Sequence, residues 1–595
     1  MISAIFSTNL HHPVAPHYQR ITWGSWVIDF CVEQPYGFYL EVNDSFVIGE
    51  STARINKDEI AAFLSIKPES HPMDRMPDLL ASFVAVARNA AEPLLGCNLT
   101  SCRPIFWAYV DSRLIVSSSL RQLRQAGVKL ELNHAALPEF AAHRVVVPPR
   151  TLYCGISRVP PGQLMHVNVN GASVKEIDHW SFPRKHQLSR VSRRDVLEHV
   201  EHLLIDHTRG LLADSAKPLA LLSGGIDSTL MTILAKKLRS DLDSASTNFS
   251  FANKHEKEEE YATTASNHLG VPHRVFKPNG PEYLRGLVKA IELAEEPVEH
   301  LQSVLLHLLF AHFSKGVHDT CLNGQFADGL FDTHKQVLLQ EYRSLTNFLS
   351  ATGLNRLGRR LCRSLGIDGF RPQLLLADLG DEQSQNEHFL FSIGAYANPK
   401  LVSEALGCRL EDVIAPRREF LAVYGNESIG NKLSILHMIL VASFMTRGIW
   451  SKLSEASGLR QVFPFASTEL ANYVTSLPWS ARGGTGKAIL SALLRRHGVP
   501  DSLINRPKLG FGFPYRFWAL PNTLFQPLVD MAGEMFDPKL LASLQVEDRS
   551  RANLLWNLLN VYLWRKLFEQ QVSADDLAEE VLRRHDHLKH KAAAT

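Results

Sequence analysis

Residues 217–228 read KPLALLSGGIDS: a short apolar strand, two consecutive glycines, and the first turn of a helix that continues through TLMTILAKKLRS. A strand that passes to a helix through a Gly-Gly turn fits few architectures, because the helix must pack back along the strand it follows. The theme repeats, with STNFSF (246–251) as a strand, EKEEEYATTASNHL (256–269) as a helix and HRVF (273–276) as a strand. Alternation of this kind predicts a parallel sheet with helices on both faces, whose ligands gather at the carboxyl ends of the strands.

The flanks read differently. From Ala4 to about Asp178, the runs GFYLEV, SFVIGE, PIFWAYV, RLIVSSS, HRVVVPP and QLMHVNVNG between turn signals predict a sheet-rich domain, with one helical stretch around Leu79 to Ala87. A polar, basic stretch at Arg184 to Asp195 marks the division near residue 190. Beyond residue 380 the pattern is mostly helical, at Leu433 to Trp450, at Lys487 to His497 and in NLLWNLLNVYLWRKLF (553–568). The 595 residues therefore divide into domains at 1–190 and 191–580, with 581–595, RRHDHLKHKAAAT and the residues before it, as a flexible, frayed tail.

Lys plus Arg is 63 and Asp plus Glu is 61, a formal charge of +2 that gives no global case for a nucleic-acid or membrane-surface partner. Any anionic ligand must be met locally. Seven scattered Cys suit neither a disulfide framework nor a zinc site, and the opening MISAIFSTNLHHP lacks the basic start and apolar core of a secretory signal, so a cytoplasmic setting is expected. Val304 to Phe310 and Ile435 to Phe444 fall short of the roughly 20 residues that span a bilayer and read as buried helices. The sets His11, His12, His17 and His585, His587, His590 have no Cys or carboxylate partner at metal-binding spacing.

The chemistry concentrates at the strand-to-helix junction. Gly224 and Gly225 let the backbone approach phosphate oxygens, and the Ser223 and Ser228 hydroxyls donate to them. Asp227 is better suited to hold Mg²⁺ than to touch phosphate. GGTGKA at 483–488 is not a G-x-x-x-x-G-K-[ST] loop, because position 481 is Ala and Lys487 is followed by Ala488.

SGGIDS (223–228) resembles the S-G-G-x-D-S pyrophosphate loop of the ATP pyrophosphatases, and essentially the whole chain resembles the asparagine synthetase and beta-lactam synthetase superfamily. Glu258 followed by Tyr261 and Ala262, EEPVEH (295–300), LNGQFADGLF (322–331), VFPFAS (462–467), the GGTGKAIL helix start and NRPKLGFGFP (505–514) match its segments in order. The link TLYCGISRVPPGQLMHV (151–167) matches as well. The resemblance implies an α+β glutaminase-like sandwich followed by an α/β ATP pyrophosphatase domain, of the adenine nucleotide alpha hydrolase-like fold, with a largely helical C-terminal part. It implies ATP and Mg²⁺, with Asp227 and Asp328 as metal ligands. Leu222, Ser223, Gly224, Gly225, Asp227, Ser228, Gly324 and Lys508 would be the nucleotide-binding set, and Lys508 would join the two aspartates as catalytic. Arg506 precedes it.

Departures from the family pattern narrow the expectation. Ile2 stands where glutamine-dependent members carry the nucleophilic Cys, so the amine is expected from a source other than glutamine, and Ser3 reads as solvent-exposed. Gln325 replaces the Glu of amide-forming members and the Tyr of beta-lactam-forming ones, and has no usable proton-transfer pKa. Gly329 replaces the Glu that follows the metal Asp. ASFMTRGIWSKLSEASGLR (442–460) lacks the K-x-D-R pattern of true asparagine synthetases.

The pattern most resembles the lasso peptide macrolactam synthetase branch, in which a precursor peptide's Asp or Glu side chain is adenylated and closed onto its own N-terminal amine. Expected partners are that peptide and, in addition, a leader peptidase and a leader-binding protein. The basic GLNRLGRRLCRSLG (353–366) is a candidate wall of a peptide groove or a solvated helix face. The rival readings are another amide ligase of the superfamily, ammonia-using or beta-lactam-forming, and a non-catalytic scaffold.

Overall fold

The computed structural model describes the chain apart from residues 8–16, 34–36, 53–55, 67–71, 89–91, 101–102, 169–173, 182–190, 250–255, 315–316, 332–344, 346–347, 350, 365–394, 425–426, 428, 483–486, 507–519 and 594–595. Two antiparallel six-stranded sheets form the N-terminal sandwich. One has the order Ile156–Arg158, Phe106–Val110, Arg113–Ser117, Ile2–Ser7, Trp26–Val32, Gln19–Trp23; the other runs Val174–His179, Gln163–Val167, Leu94–Cys97, Leu80–Ala87, Ser45–Ser51, Gly37–Val42.

The period of two along a strand decides what each face meets. In the first strand Ile2, Ala4 and Phe6 enter the core between the sheets, against Phe46, Ile48, Val84 and Leu95. Ile5, on the other face, belongs to a second core shared with the C-terminal half. Ser3 shares the face of Ile5 and is 1% exposed, which corrects its reading as a solvent-exposed residue; it accepts a hydrogen bond from the Tyr18 hydroxyl at 2.6 Å.

Two expectations fail for related reasons. Leu80–Ala87 is a strand, not a helix. Val84 and Val86 face the sandwich core while Leu80, Phe83 and Ala85 face a separate cluster with Phe63 and Met76. A strand buried on both faces loses the alternation by which sequence betrays it. HRVVVPP forms no strand. The helix Leu137–His143 ends on Arg144 at φ 62°, and the Val147 N–H donates to the Glu139 carboxylate at 2.9 Å instead of to a neighbouring strand.

The C-terminal half is built on a five-stranded parallel sheet with the order His273–Phe276, Asp243–Thr247, Pro218–Leu221, Thr320–Leu322, Arg460–Val462. The strand assigned to STNFSF begins three residues earlier than expected, at Asp243. Chain order reverses between Pro218–Leu221 and Thr320–Leu322, which opens a crevice at their carboxyl ends. Helices Ile226–Leu238, Glu256–Leu269 and Leu301–Phe313 pack around the sheet, and Ala574–Ala593 carries most of the residues read as a tail.

The halves share one apolar core, in which Ile5, Phe106, Ile115 and Leu120 are continuous with Leu287, Leu305, Trp556 and Trp564. Polar contacts fix their register. Glu295, at φ 62° and 5% exposed, accepts from the Ser119 hydroxyl at 2.8 Å and the Leu120 N–H at 2.7 Å, and its carbonyl accepts from the Trp564 indole at 2.9 Å. Arg144 donates to Asn557 and Asn553, both at 2.8 Å, and Arg103 pairs with Glu455.

Candidate active site

The strand Pro218–Leu221 ends at a turn that only glycine can make. Gly224 adopts φ +70°, and a Cβ there would stand 2.5 Å from the Tyr261 carbonyl oxygen, so both the backbone angle and the space exclude a side chain. Gly225 is the N-cap of Ile226–Leu238 and brings no side-chain cap, so no capping oxygen stands between that helix N-terminus and the cleft. The Ser223 N–H donates to Ser228 Oγ at 3.2 Å, and the Ser228 hydroxyl reaches the Gly225 carbonyl at 3.2 Å. These bonds close the loop into a cradle. Leu222 anchors its start by donating its N–H to Ala245 at 2.9 Å.

The second loop follows the neighbouring strand. Asn323 donates its N–H to Val462 at 2.9 Å, Phe326 takes a left-handed φ of 82°, and Ala327–Phe331 then starts a short helix with Asp328 in its first turn. Gly324 lies against the first loop, where a Cβ would be 3.3 Å from Asp227 Cβ. At Gly329 a Cβ would come within 2.9 Å of Met438 Cγ, so a larger residue there needs Met438 to shift. Arg447, 1% exposed, holds this loop from behind. Its guanidinium stacks 4.8 Å from the Phe326 ring and 5.4 Å from the Phe463 ring, and it donates to the Thr100 carbonyl of the sandwich.

Asp227 and Asp328 converge on one cation, the ammonium of Lys487, which lies 2.6 Å from Asp328 Oδ1 and is also paired with Asp227. Burial pulls this ammonium down, but the two carboxylate charges and their hydrogen bonds outweigh it and hold it above the ordinary lysine value. Lys487 itself sits at φ 56°, ψ 33° at the start of Ala488–Arg496. The lysine of GGTGKA thus bridges the two loops. The sequence places the GGTGKAIL segment among those that match the family but gives Lys487 no role; the available signal was a Gly-rich stretch before an apolar helix that starts on lysine.

Arg506 straps the first loop from the opposite side, donating to the Gly224 carbonyl at 2.9 Å and the Ser223 carbonyl at 3.3 Å, with its guanidinium 4.5 Å from the Tyr261 ring. Burial raises the Glu258 carboxyl to about 7, an effect that nearby Arg506 opposes. Lys508 lies outside the described residues.

A cleft of about 880 Å³, open to solvent, joins these parts. Ser223, Gly225, Asp227, Ser228, Gly324 and Asp328 line one region, Ala245 to Asn248 at the end of the next strand line another, and Gln302, Leu306, Leu309, Gln325 and Trp450 complete the walls. Trp450 is fixed by its indole N–H, which donates to Ser303 at 2.7 Å. His300, the half-buried N-cap of the adjoining helix, and His307, buried within it, are neutral, pushed down by desolvation to about 3 and about 4. Among the described residues there is no group of three or more His, Cys, Asp or Glu placed to hold a metal. Two carboxylates that already share a cation do fit Mg²⁺, which usually takes one or two carboxylates plus phosphate oxygens.

Comparison with known proteins gives the family. Residues 199–568 match the family model for asparagine synthase, and residues 83–180 match that for a glutamine amidotransferase domain. Asparagine synthetase [glutamine-hydrolyzing] 1 of Bacillus subtilis (strain 168) is 21% identical over 500 residues, covering 80% of this chain and 76% of that protein. A putative asparagine synthetase [glutamine-hydrolyzing] of Mycobacterium bovis is 25% identical over 519 residues, covering 80% and 74%. Among solved structures, glutamine-dependent NAD+ synthetase from Acinetobacter baumannii in complex with ADP aligns over 36% of this chain and 46% of its own at 13% identity, with a TM-score of 0.19, too slight a likeness to argue from. A strand-switch cleft with a glycine cradle and a family match over most of the chain lead to one conclusion: the chain belongs to the asparagine synthase family and is an ATP-dependent amide ligase of that kind.

Proposed function

We propose that this protein is a lasso peptide macrolactam synthetase, which adenylates an Asp or Glu side chain of a precursor peptide and closes the ring with the peptide's N-terminal amine. The observation that carries this reading is the lining of the cleft, which holds no Lys or Arg among its described residues: its ionisable groups are Asp227, Glu258, Glu259 and Asp328, with Lys487 taken up between the two aspartates, while Gln302 and Gln325 present neutral amides. A free amino acid brings an α-carboxylate that needs a cation. A residue inside a peptide has its α-groups tied up in amide bonds, for which neutral amide side chains are fitting partners.

In the first step a side-chain carboxylate oxygen attacks the α-phosphorus of ATP, the bond to the β-bridging oxygen breaks, and pyrophosphate leaves with the electron pair. Ser223, Gly224, Gly225 and Ser228 would hold that pyrophosphate at the helix N-terminus, with Lys487 beside it and Arg506 keeping the loop in shape. Asp227 and Asp328 would hold Mg²⁺, which when bound offsets phosphate charge. Lys508 would face the α-phosphate. In the second step the amine attacks the acyl carbon, AMP leaves, and the amine proton passes to a base. Because the amine belongs to the same peptide, effective concentration replaces a supply of free ammonia.

The curated relatives are named glutamine-hydrolyzing asparagine synthetases; with Ile2 in place of a nucleophilic Cys, the second reading is an ammonia-using enzyme of that kind, acting on free aspartate. Purified protein incubated with ATP, Mg²⁺ and candidate precursor peptides, processed by a leader peptidase with its leader-binding protein where needed, should yield a peptide lighter by one water, and Asp227→Ala should abolish AMP formation. Turnover of free aspartate plus ammonia, with none of any peptide, would replace the first reading by the second.

A further inference from the structure

The formal charge of +2 is a sum over the whole chain, in which the basic helix Leu354–Ser364 is masked by acidic residues elsewhere. Its sequence, LNRLGRRLCRS, holds four arginines, Arg356, Arg359, Arg360 and Arg363, and no acidic residue. Leu354, Leu357 and Leu361 recur at i, i+3 and i+7 and so share one face. That face is bare: the three leucines are 47%, 61% and 58% exposed, and Leu345 and Phe348 just before them are 45% and 59% exposed. Arg356 and Arg360 are exposed as well, whereas Asn355 is buried, so the helix rests on the body by one side and turns both leucines and arginines outward.

We propose that this helix docks the enzyme on an anionic lipid bilayer, lying in the plane of the interface with the leucines at the acyl boundary and the arginines at the lipid phosphates. The inference is independent of the substrate assigned to the cleft. Charge selects a bilayer over a protein segment: exposed Arg356 and Arg360 beside exposed leucines, in a helix without an acidic residue, complement a surface that is apolar within and negative at its rim. No helix among the described residues is long and apolar enough to cross a membrane, so the contact is interfacial.

The test uses full-length protein and sedimentation with phosphatidylcholine vesicles, with and without phosphatidylglycerol. Wild type should bind the mixed vesicles and not the neutral ones, and salt should release it. The double variant Arg356→Gln, Arg360→Gln should bind roughly thirtyfold more weakly, and the triple variant Leu354→Ser, Leu357→Ser, Leu361→Ser should not bind, while ATP–pyrophosphate exchange stays unchanged in both. Failure of wild type to bind anionic vesicles overturns the proposal, as does equal binding to neutral ones. If the leucine variant binds like wild type but loses turnover of peptide, the face serves a peptide or a segment of this chain, and the proposal is wrong.

Discussion

Lys487 Nζ lies 2.6 Å from Asp328 Oδ1, and the same ammonium holds Asp227, so one lysine ties together loops that follow different strands of the sheet. A divalent cation placed between the aspartates must compete with it. Lys487→Met should therefore bind Mg²⁺ more tightly in the absence of nucleotide, by calorimetric titration, yet lose about 10²–10³-fold in ATP–pyrophosphate exchange, because a fixed charge near the departing pyrophosphate is gone. Weaker Mg²⁺ binding in the variant would show that the lysine organises the aspartates and does not compete for them.

Gly224→Ala places a methyl 2.5 Å from the Tyr261 carbonyl and forces a residue with Cβ to φ +70°. Backbone strain alone costs about 1–3 kcal/mol, and relief requires the loop to move off the helix that carries Tyr261. The expected outcome is a protein that folds with a lowered Tm and binds ATP too weakly to saturate. Wild-type ATP affinity in a folded variant would mean the loop adapts at no cost.

Glu258 gives the site a pH dependence with a defined sign. Its carboxyl is raised by burial from 4.5 to about 7, so the folded protein favours the protonated form. Stability associated with this group is complete below 4.5 and is lost as pH rises through about 7. Glu258→Gln cannot ionise and should remove that loss, so its Tm should gain on wild type across this window. Parallel Tm curves for the two proteins would exclude Glu258 as the titrating group.

Glu295→Ala leaves the buried Ser119 hydroxyl and Leu120 N–H without their carboxylate acceptor at the joint between the halves. The cost is about 2–4 kcal/mol. Scanning calorimetry should show one transition, shifted down, because the halves share a core. A split into two transitions would reveal cores more independent than their packing indicates.

What could be read from the sequence followed local rules. The strand at 217–222, the helices at 226–238 and 256–269 and the strand His273–Phe276 were legible, because in each the spacing of apolar residues and the flanking Gly or charge agree. The convergence of SGGIDS with LNGQFADG was legible through family resemblance alone. Leu80–Ala87 and HRVVVPP misled because their apolar residues serve two cores at once, and only the fold says which side each faces. The roles of Lys487, Arg506 and Arg447 were not legible, because each acts on a loop distant in sequence and only the fold brings the two together.

The core shared by the two halves sets how such a chain can change over generations. One codon suffices to put isoleucine at position 2, and Ile2 packs among its neighbours without disturbance. Deleting the sandwich is a different matter, since a shortened chain would bare Leu287, Trp556 and Trp564 to water, an aggregation liability. A single side chain of the N-terminal half can change wherever its packing allows, while the half as a whole is tied to the C-terminal half by the core they share.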